Sequence, residues 1–167
     1  MDSFPQRKHP RLKQYDYSTA GAYFITICTQ NHRCLLSRVV RSECADDPVK
    51  LRYSDYGKIA AEQFALLEKR FPSLTVDRYV IMPNHIHMIL MLKAAEHGEN
   101  APTVMEIVCA YKSLVTRECK KCRPIDKLFQ TSFYEHVIRG QKDYLETAEY
   151  IVNNPKQWEM DRHYSAE

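Results

Sequence analysis

Glycine is scarce in this sequence, with four glycines among 167 residues. None of them belongs to a Gly-rich loop of the kind that holds nucleotide phosphates with backbone N–H groups. The sequence therefore offers no nucleoside triphosphate site. Long apolar runs are also missing, because no stretch approaches the roughly 20 residues that a membrane-spanning helix needs. We therefore expect no membrane partner.

The first 17 residues lack the apolar core of a secretory signal and are instead polar and charged. This absence predicts a cytoplasmic protein, in which the six cysteines are reduced thiols rather than disulfides. Cys119 and Cys122 form a lone Cys-x-x-Cys pair. Since no second pair follows at a spacing typical of structural zinc sites, the pattern does not favour zinc there.

Strong net charge is absent as well, because the chain carries a formal charge of only +3. The total therefore does not indicate nucleic acid, but the distribution of cations is more informative. A basic arm near the N-terminus contains Arg7, Lys8, Arg11 and Lys13 beside Tyr15 and Tyr17. Such an arm suits phosphate contacts and base stacking, and the alternative is a solubilising tail.

The hydrophobic periodicity predicts strands and helices in a definite order. Strands are predicted over residues 22–29, 74–82, 85–91 and 129–138, and helices over 56–70, 103–119 and 142–154. A further short strand is predicted over 33–36, followed by a loop over 38–50. The order predicts an α+β, ferredoxin-like antiparallel sheet with helices on one face, plus an added C-terminal helix. We divide the chain into the arm 1–20, one domain 21–158 and a tail 159–167.

Two histidines stand one residue apart in an apolar run, Tyr79 to Leu90, that is typical of a buried strand. Alternate side chains of a strand share a face, so His85 and His87 project together with backbones roughly 6.5–7 Å apart. That spacing lets two imidazoles bind one divalent metal. The alternative is a pair of inert histidines, each satisfied by a hydrogen bond.

The last predicted helix contains a tyrosine that does not belong to its apolar face. At about 100° per residue, Tyr150 lies about 160° from the centre of the face formed by Tyr144, Leu145, Ala148, Ile151 and Val152. Asn154 is four residues further on and therefore a neighbour of Tyr150. A phenol nucleophile beside an amide ligand is one interpretation. A surface tyrosine followed by a helix-end asparagine is the other.

Taken together, these residues resemble the single-tyrosine HUH transposases, in particular the REP-associated branch. The resemblance rests on Met82-Pro-Asn-His-Ile-His87, Phe133-Tyr-Glu-His-Val-Ile-Arg139 and Glu149-Tyr-Ile-Val-Asn-Asn-Pro155, and on the basic arm and first strand. It extends from about residue 7 to residue 158.

The resemblance implies a catalytic role for Tyr150, which would lie on the C-terminal helix of a ferredoxin-like domain. It implies that His85, His87 and Asn154 bind a divalent metal, Mg²⁺ or Mn²⁺, although the family often has Gln where this chain has Asn154. The implied activity is cleavage and rejoining of single-stranded hairpin DNA through a 5′-phosphotyrosine intermediate. Both a monomer and a homodimer are compatible with the family.

Basic residues are expected to complete the DNA surface, namely the four cations of the arm together with Lys112 and Arg139. His136 is a further polar residue near the expected site, with a structural hydrogen bond as the alternative.

Three other functions remain open from the sequence. They are a domesticated hairpin-binding protein without cleavage activity, a replication or mobilisation nickase, and an unrelated metal hydrolase in which Tyr150 is dispensable.

Overall fold

The computed structural model describes residues 15–41, 49–94 and 101–164. In chain order its strands are β1 (Gly21–Cys28), β2 (Ser37–Val40), β3 (Lys50–Tyr53), β4 (Leu74–Ile81), β5 (His85–Leu92) and β6 (Tyr134–Ile138). Its α-helices are α1 (Asp55–Arg70), α2 (Val104–Cys122) and α3 (Gly140–Asn153). Two 3₁₀ segments, Gln30–His32 and Asn154–Met160, follow β1 and α3.

The main sheet has four antiparallel strands in the order β4-β5-β1-β6. Helices α1 and α2 pack together on one face, and α3 packs on the other. This arrangement confirms the predicted ferredoxin-like fold with its added C-terminal helix. Because β5 lies between two neighbouring strands and is covered on both faces, it is buried over most of its length, which explains its nearly continuous apolar sequence.

The two layers of the core follow from side-chain alternation along β1 and β5. Tyr23, Ile25 and Ile27 face α1 and α2, together with Ile86 and Met88. Phe24 and Ile89 face α3, where they join a smaller apolar cluster that also contains Val80, Met82, Ile138, Ala148, Ile151 and Trp158. His85 and His87 have the same strand parity as Ile89, so the sheet places them on the α3 side.

The two long helices begin at side-chain caps. Ser54 caps α1 by accepting a hydrogen bond from the backbone N–H of Gly57 at 3.1 Å. Thr103 and Glu106 form a reciprocal capping box at the start of α2. These caps fix the first turns of α1 and α2. The helices begin at Asp55 and Val104, next to the predicted starts at residues 56 and 103.

The region between β1 and α1 differs from the prediction. Residues 33–36 form no strand, and the predicted loop 38–50 contains most of β2 and the first residue of β3. These two strands form a separate two-stranded sheet of four residues each. Such short strands give too few alternations for periodicity to detect. The strand predicted over 129–138 is also shorter in the structure. Its observed counterpart, β6, begins at Tyr134, and Phe129 makes only an isolated bridge to Thr29.

Within the described ranges, no helix is long and apolar enough to cross a membrane. The described cysteines are Cys28, Cys34, Cys109, Cys119 and Cys122, and none of these five is in a disulfide.

Candidate functional site

The two histidines of β5 lie side by side beneath α3. His85 and His87 are both fully buried, and their ring centroids are 4.4 Å apart. The residue between them, Ile86, points into the core on the opposite face. The predicted sharing of one sheet face is therefore observed.

Hydrogen bonds at the Nδ1 atoms orient both rings. The Nδ1 of His85 lies 2.9 Å from Asn84 Oδ1, and since an amide oxygen only accepts, this Nδ1 carries the proton. The Nδ1 of His87 lies 2.8 Å from the hydroxyl of Thr26 on β1. A ligating histidine commonly makes such a bond with its second nitrogen, which leaves Nε2 for the metal. The Nε2 of His85 is buried and has no hydrogen-bond partner among the described residues.

Burial keeps both imidazoles neutral. Desolvation, helped by the nearby His163, lowers the pKa of His85 to about 3. Desolvation and the neighbouring His85 hold the pKa of His87 well below its usual range. Neutral imidazoles have the lone pairs that metal binding requires, so the pair is ready to bind a cation at neutral pH.

Tyr150 reaches the histidines from α3. Its hydroxyl lies 3.4 Å from His87 Nε2 and 3.4 Å from Asp161 Oδ2, and 36% of the residue remains exposed. Burial raises the pKa of Tyr150, and the negative charge of Asp161 raises it further, so the group is a neutral phenol at neutral pH. Tyr150, which the sequence singled out, therefore faces the two histidines of β5.

The helical geometry used to single out Tyr150 needs correction. Leu145 and Val152, assigned to the buried face, are 55% and 59% exposed, whereas Ala148 and Ile151 are buried. The packed face of α3 is therefore rotated away from Leu145 and Val152. Tyr150 borders this face and packs against His87 and Phe24 of the two central strands, instead of pointing away from the sheet.

Asn154 lies where α3 passes into the following 3₁₀ segment and is 1% exposed. Its Nδ2 donates to Asp161 Oδ2 at 2.9 Å. Its Oδ1 is buried without a hydrogen-bond partner in the described part of the chain. A buried amide oxygen next to the neutral imidazole of His85 is compatible with the ligand role that the sequence predicts for Asn154.

Asp161 is a second candidate oxygen ligand, which the sequence did not indicate. Ligand atoms of His85, His87 and Asp161 all lie within 4.8 Å of one another. Asp161 follows the last 3₁₀ segment, inside the range assigned to a C-terminal tail. An isolated acid in a polar segment gives no signal of its own, and a fold was needed to bring it to the histidines.

The predicted DNA-binding residues lie in different surroundings. Arg7, Lys8, Arg11 and Lys13 lie outside the described residues. Lys112 is partly buried, and its ammonium donates to the backbone carbonyls of Gln130 and Thr131 at 2.6 and 2.8 Å. It therefore holds the chain that leads to β6, and its role in DNA binding stays a prediction.

Near the start of α3, Arg139 is exposed and its backbone N–H donates to Asp143 at 2.7 Å. His136 lies 3.0 Å from the same carboxylate, which supports the structural alternative for this histidine. Arg162, which the sequence did not single out, lies over the ring of Tyr134 and is exposed.

Comparison with known proteins gives related sequences and a related fold. No model of a known sequence family matches the chain. An uncharacterized protein of Haemophilus influenzae is 34% identical over 174 residues, which cover 95% of this chain and 93% of that protein. A second Haemophilus influenzae protein, named as a REP-associated tyrosine transposase, is 27% identical over 150 residues, or 84% of this chain and 73% of its own length.

The solved structure of a REP-associated tyrosine transposase bound to a REP hairpin has a TM-score of 0.64 to this chain. The two sequences are 20% identical, and the match covers 88% of this chain and 73% of the other. The likeness shows that both proteins have the same fold.

Proposed function

Because the chain belongs to the family of REP-associated tyrosine transposases, we propose that it cleaves and rejoins single-stranded hairpin DNA through a covalent phosphotyrosine. One observation carries this proposal. The Tyr150 hydroxyl lies 3.4 Å from Nε2 of the buried His87, next to the equally buried His85. A nucleophile and a pair of neutral metal ligands thus face one another across the α3 side of the sheet.

The residues present fit a divalent cation. His85 offers an unsatisfied Nε2, Asn154 an unsatisfied Oδ1 and Asp161 a carboxylate, and ligand atoms of His85, His87 and Asp161 lie within 4.8 Å of one another. Two imidazoles with oxygen donors suit Mn²⁺, and the oxygen donors also suit Mg²⁺. When bound, such a cation polarises phosphate oxygens and stabilises the negative charge of a leaving oxygen.

The reaction assigned to Tyr150 is the transfer of a phosphodiester. The phenol loses its proton, and its oxygen forms a bond to phosphorus while the bond from phosphorus to the 3′ oxygen breaks. The leaving oxygen takes up a proton and becomes a 3′-hydroxyl. Since the ester to Tyr150 replaces the ester to DNA, a second 3′-hydroxyl can reverse the step and join the strands without ATP.

Asp161 and the Phe24 ring hold the nucleophile in place. The Tyr150 hydroxyl donates to Asp161 Oδ2, and the edge of its ring packs against Phe24 with centroids 6.1 Å apart. A phenol held from two sides loses little side-chain entropy when the reaction begins. We assign Asp161 the roles of orienting the phenol and of supplying a negatively charged ligand.

Cations near α3 are proposed to bind the DNA strand. Arg139 and Arg162 are both exposed, and Arg162 lies over the ring of Tyr134 on the strand next to β1. A guanidinium and an aromatic ring together suit a phosphate and a stacked base. The basic arm, with Arg7, Lys8, Arg11 and Lys13, is proposed to add sequence-independent phosphate contacts.

The test is an incubation of the chain with Mn²⁺ and single-stranded hairpin DNA from the sequence beside its gene, followed by a denaturing gel. We expect a covalent protein–DNA adduct that requires the metal. Tyr150→Phe should abolish the adduct and leave hairpin binding intact, because the ring and its packing are kept. Tyr144→Phe is the matched control, since this phenol of the same helix donates to Asp77 away from the histidines.

An adduct that persists in Tyr150→Phe would contradict the assignment. Tyr111 would not be the replacement, because its fully buried hydroxyl donates to the carbonyl of Ala60 in the core. Tyr134, which lies on the α3 side of the sheet, would be. Tight binding by the wild type without any adduct would instead indicate a hairpin-binding protein that no longer cleaves DNA.

A further inference from the structure

A second cluster of metal-binding side chains lies beside the histidine pair. Ligand atoms of Cys28, His32 and His163 all lie within 4.8 Å of one another. Cys28 Sγ is 3.8 Å from His163 Nδ1, and the rings of His32 and His163 stack with centroids 5.6 Å apart. Cys28 and His163 are buried, at 8% and 9% exposed, and His32 is partly exposed.

Two distant parts of the chain build this cluster, and one amide ties them together. Cys28 ends β1, His32 ends the 3₁₀ turn that follows, and His163 comes from the end of the described chain. The Nδ2 of Asn84 donates to the backbone carbonyls of His32 and His163 at 3.1 and 2.7 Å. The Oδ1 of the same Asn84 accepts from His85, so one side chain joins the second cluster to the first.

The backbone of the 3₁₀ turn has an unusual conformation at the cluster. Asn31 and His32 have φ values of 57° and 52°, in the left-handed region. Residues other than glycine rarely adopt this region, although Asn and His adopt it more often than most. The hydroxyl of Thr29 shares its one proton between the carbonyls of Arg33 and Asn84 at 2.8 and 3.0 Å, which closes the turn that contains His32.

The donor set of this cluster differs from that of the first. A thiolate with two imidazoles favours Zn²⁺ or another thiophilic cation over Mg²⁺, which prefers oxygen. Ligand atoms around a tetrahedral zinc ion lie about 3.3–3.6 Å apart, which follows from zinc–ligand distances of about 2.0–2.3 Å. The 3.8 Å between Cys28 Sγ and His163 Nδ1 is close to this value. Three protein ligands leave the fourth position to water.

We propose that Cys28, His32 and His163 bind a Zn²⁺ ion, which fastens the segment that contains Asp161 to the end of β1. Binding removes the proton from the Cys28 thiol and gives the metal a thiolate. Arg162 Nε now donates to His163 Nε2 at 3.1 Å. Since zinc at Nδ1 places the imidazole proton on Nε2, the exposed Arg162 side chain turns away when the ion binds.

The proposed zinc site influences the cluster of His85, His87 and Asp161 through the polypeptide that links the two sites. Asp161 is two residues from His163, and the backbone N–H of His163 donates to Asp161 Oδ1 at 2.7 Å. A zinc ion on His163 therefore holds the carboxylate near His85 and Tyr150. The proposed zinc ion joins two parts of the chain, and its existence does not depend on whether the chain cleaves DNA.

The test is a Co²⁺ titration of the metal-stripped full chain, followed by near-ultraviolet absorption. A thiolate bound to Co²⁺ gives a charge-transfer band that imidazole and carboxylate ligands do not give. We expect this band in the wild type, and its loss in Cys28→Ser. It should remain in Cys34→Ser and in the double variant Cys119→Ser/Cys122→Ser, which serve as matched thiol controls. It should also remain in His85→Ala/His87→Ala.

A second measurement covers the case in which Cys28→Ser folds poorly. In the His85→Ala/His87→Ala background, stoichiometric Zn²⁺ should raise the Tm, and adding His32→Gln should remove that rise. Absence of the cobalt band in the wild type, its survival in Cys28→Ser, or an equal Tm rise with and without His32→Gln would each overturn the proposal.

Discussion

At the scale of single residues, two side chains offer candidate oxygen ligands beside the histidines. Asn154 supplies a neutral amide oxygen, and Asp161 supplies a carboxylate whose Oδ2 is already engaged by Asn154 Nδ2 and by the Tyr150 hydroxyl. The difference in charge decides which one matters more for affinity. A divalent cation gains more from a carboxylate than from an amide, because the carboxylate brings a full negative charge into a buried site.

We therefore predict that Asp161→Asn weakens Mn²⁺ binding by at least about tenfold. The substitution removes the charge and one of two acceptor oxygens, of which Oδ1 accepts from the backbone N–H of His163 and Oδ2 accepts from Asn154. Asp143→Asn is the control, because that carboxylate pairs with His136 at the start of α3, outside the cluster. Calorimetric titration of the metal-stripped proteins with Mn²⁺ measures the affinity of both variants. Unchanged affinity in Asp161→Asn, with a loss in Asn154→Ala, would assign the ligand role to the amide alone.

At the scale of elements, the start of α1 depends on one glycine. An ideal Cβ on Gly57 would come within 2.0 Å of the backbone carbonyl oxygen of Leu36. The same carbonyl oxygen of Leu36 accepts hydrogen bonds from the backbone N–H and the hydroxyl of Ser54, which caps the helix. The chain before β2 and the first turn of α1 therefore approach each other more closely than any side chain allows.

Gly57→Ala should consequently destabilise the protein. A glycine-to-alanine change inside a helix ordinarily stabilises it by up to about 1 kcal/mol. Here the sign should reverse, and the free energy of unfolding should fall by about 1–3 kcal/mol, because backbone atoms must move to admit the methyl group. Lys58→Ala, at the next and exposed helix position, should stay within about 0.5 kcal/mol of the wild type. Urea unfolding measures both, and a stabilised Gly57→Ala would refute the close approach.

At the scale of the whole molecule, the neutral histidine pair links global stability to pH. Burial lowers the pKa of His85 to about 3 and also lowers that of His87, whereas unfolded histidines titrate near about 6.5. Below pH ~6.5 the unfolded chain therefore binds protons that the folded chain does not. The stabilisation by these groups is present above that pH and is lost as the pH falls towards 3.

We predict that the free energy of unfolding of the metal-free chain falls by up to about 1.4 kcal/mol per pH unit for each of the two histidines between pH ~6 and pH ~4. Denaturant unfolding at a series of pH values, with a chelator present, gives the slope. His85→Gln should have a shallower slope, since one of the two groups is removed. Equal slopes in the two proteins would mean that His85 is not held neutral by burial.

The sequence by itself determined the local geometry and the order of the elements. The period of two along β5 placed His85 and His87 on one face, and the apolar pattern located the helices, because these properties depend on neighbouring residues. The resemblance over residues 7–158 indicated the family. Periodicity missed β2 and β3, which are too short, and misjudged the packed face of α3, where Leu145 and Val152 are exposed.

Only the tertiary structure determined which other residues lie beside His85 and His87. Asp161 and His163 come from a short polar segment that carries no periodic signal, and they reach β5 because Trp158 packs into the cluster beneath α3 and Asn84 binds the backbone of His163. Cys28 and His163 are 135 residues apart in sequence. Such contacts depend on how the chain returns to the sheet, so they follow from packing and not from local sequence.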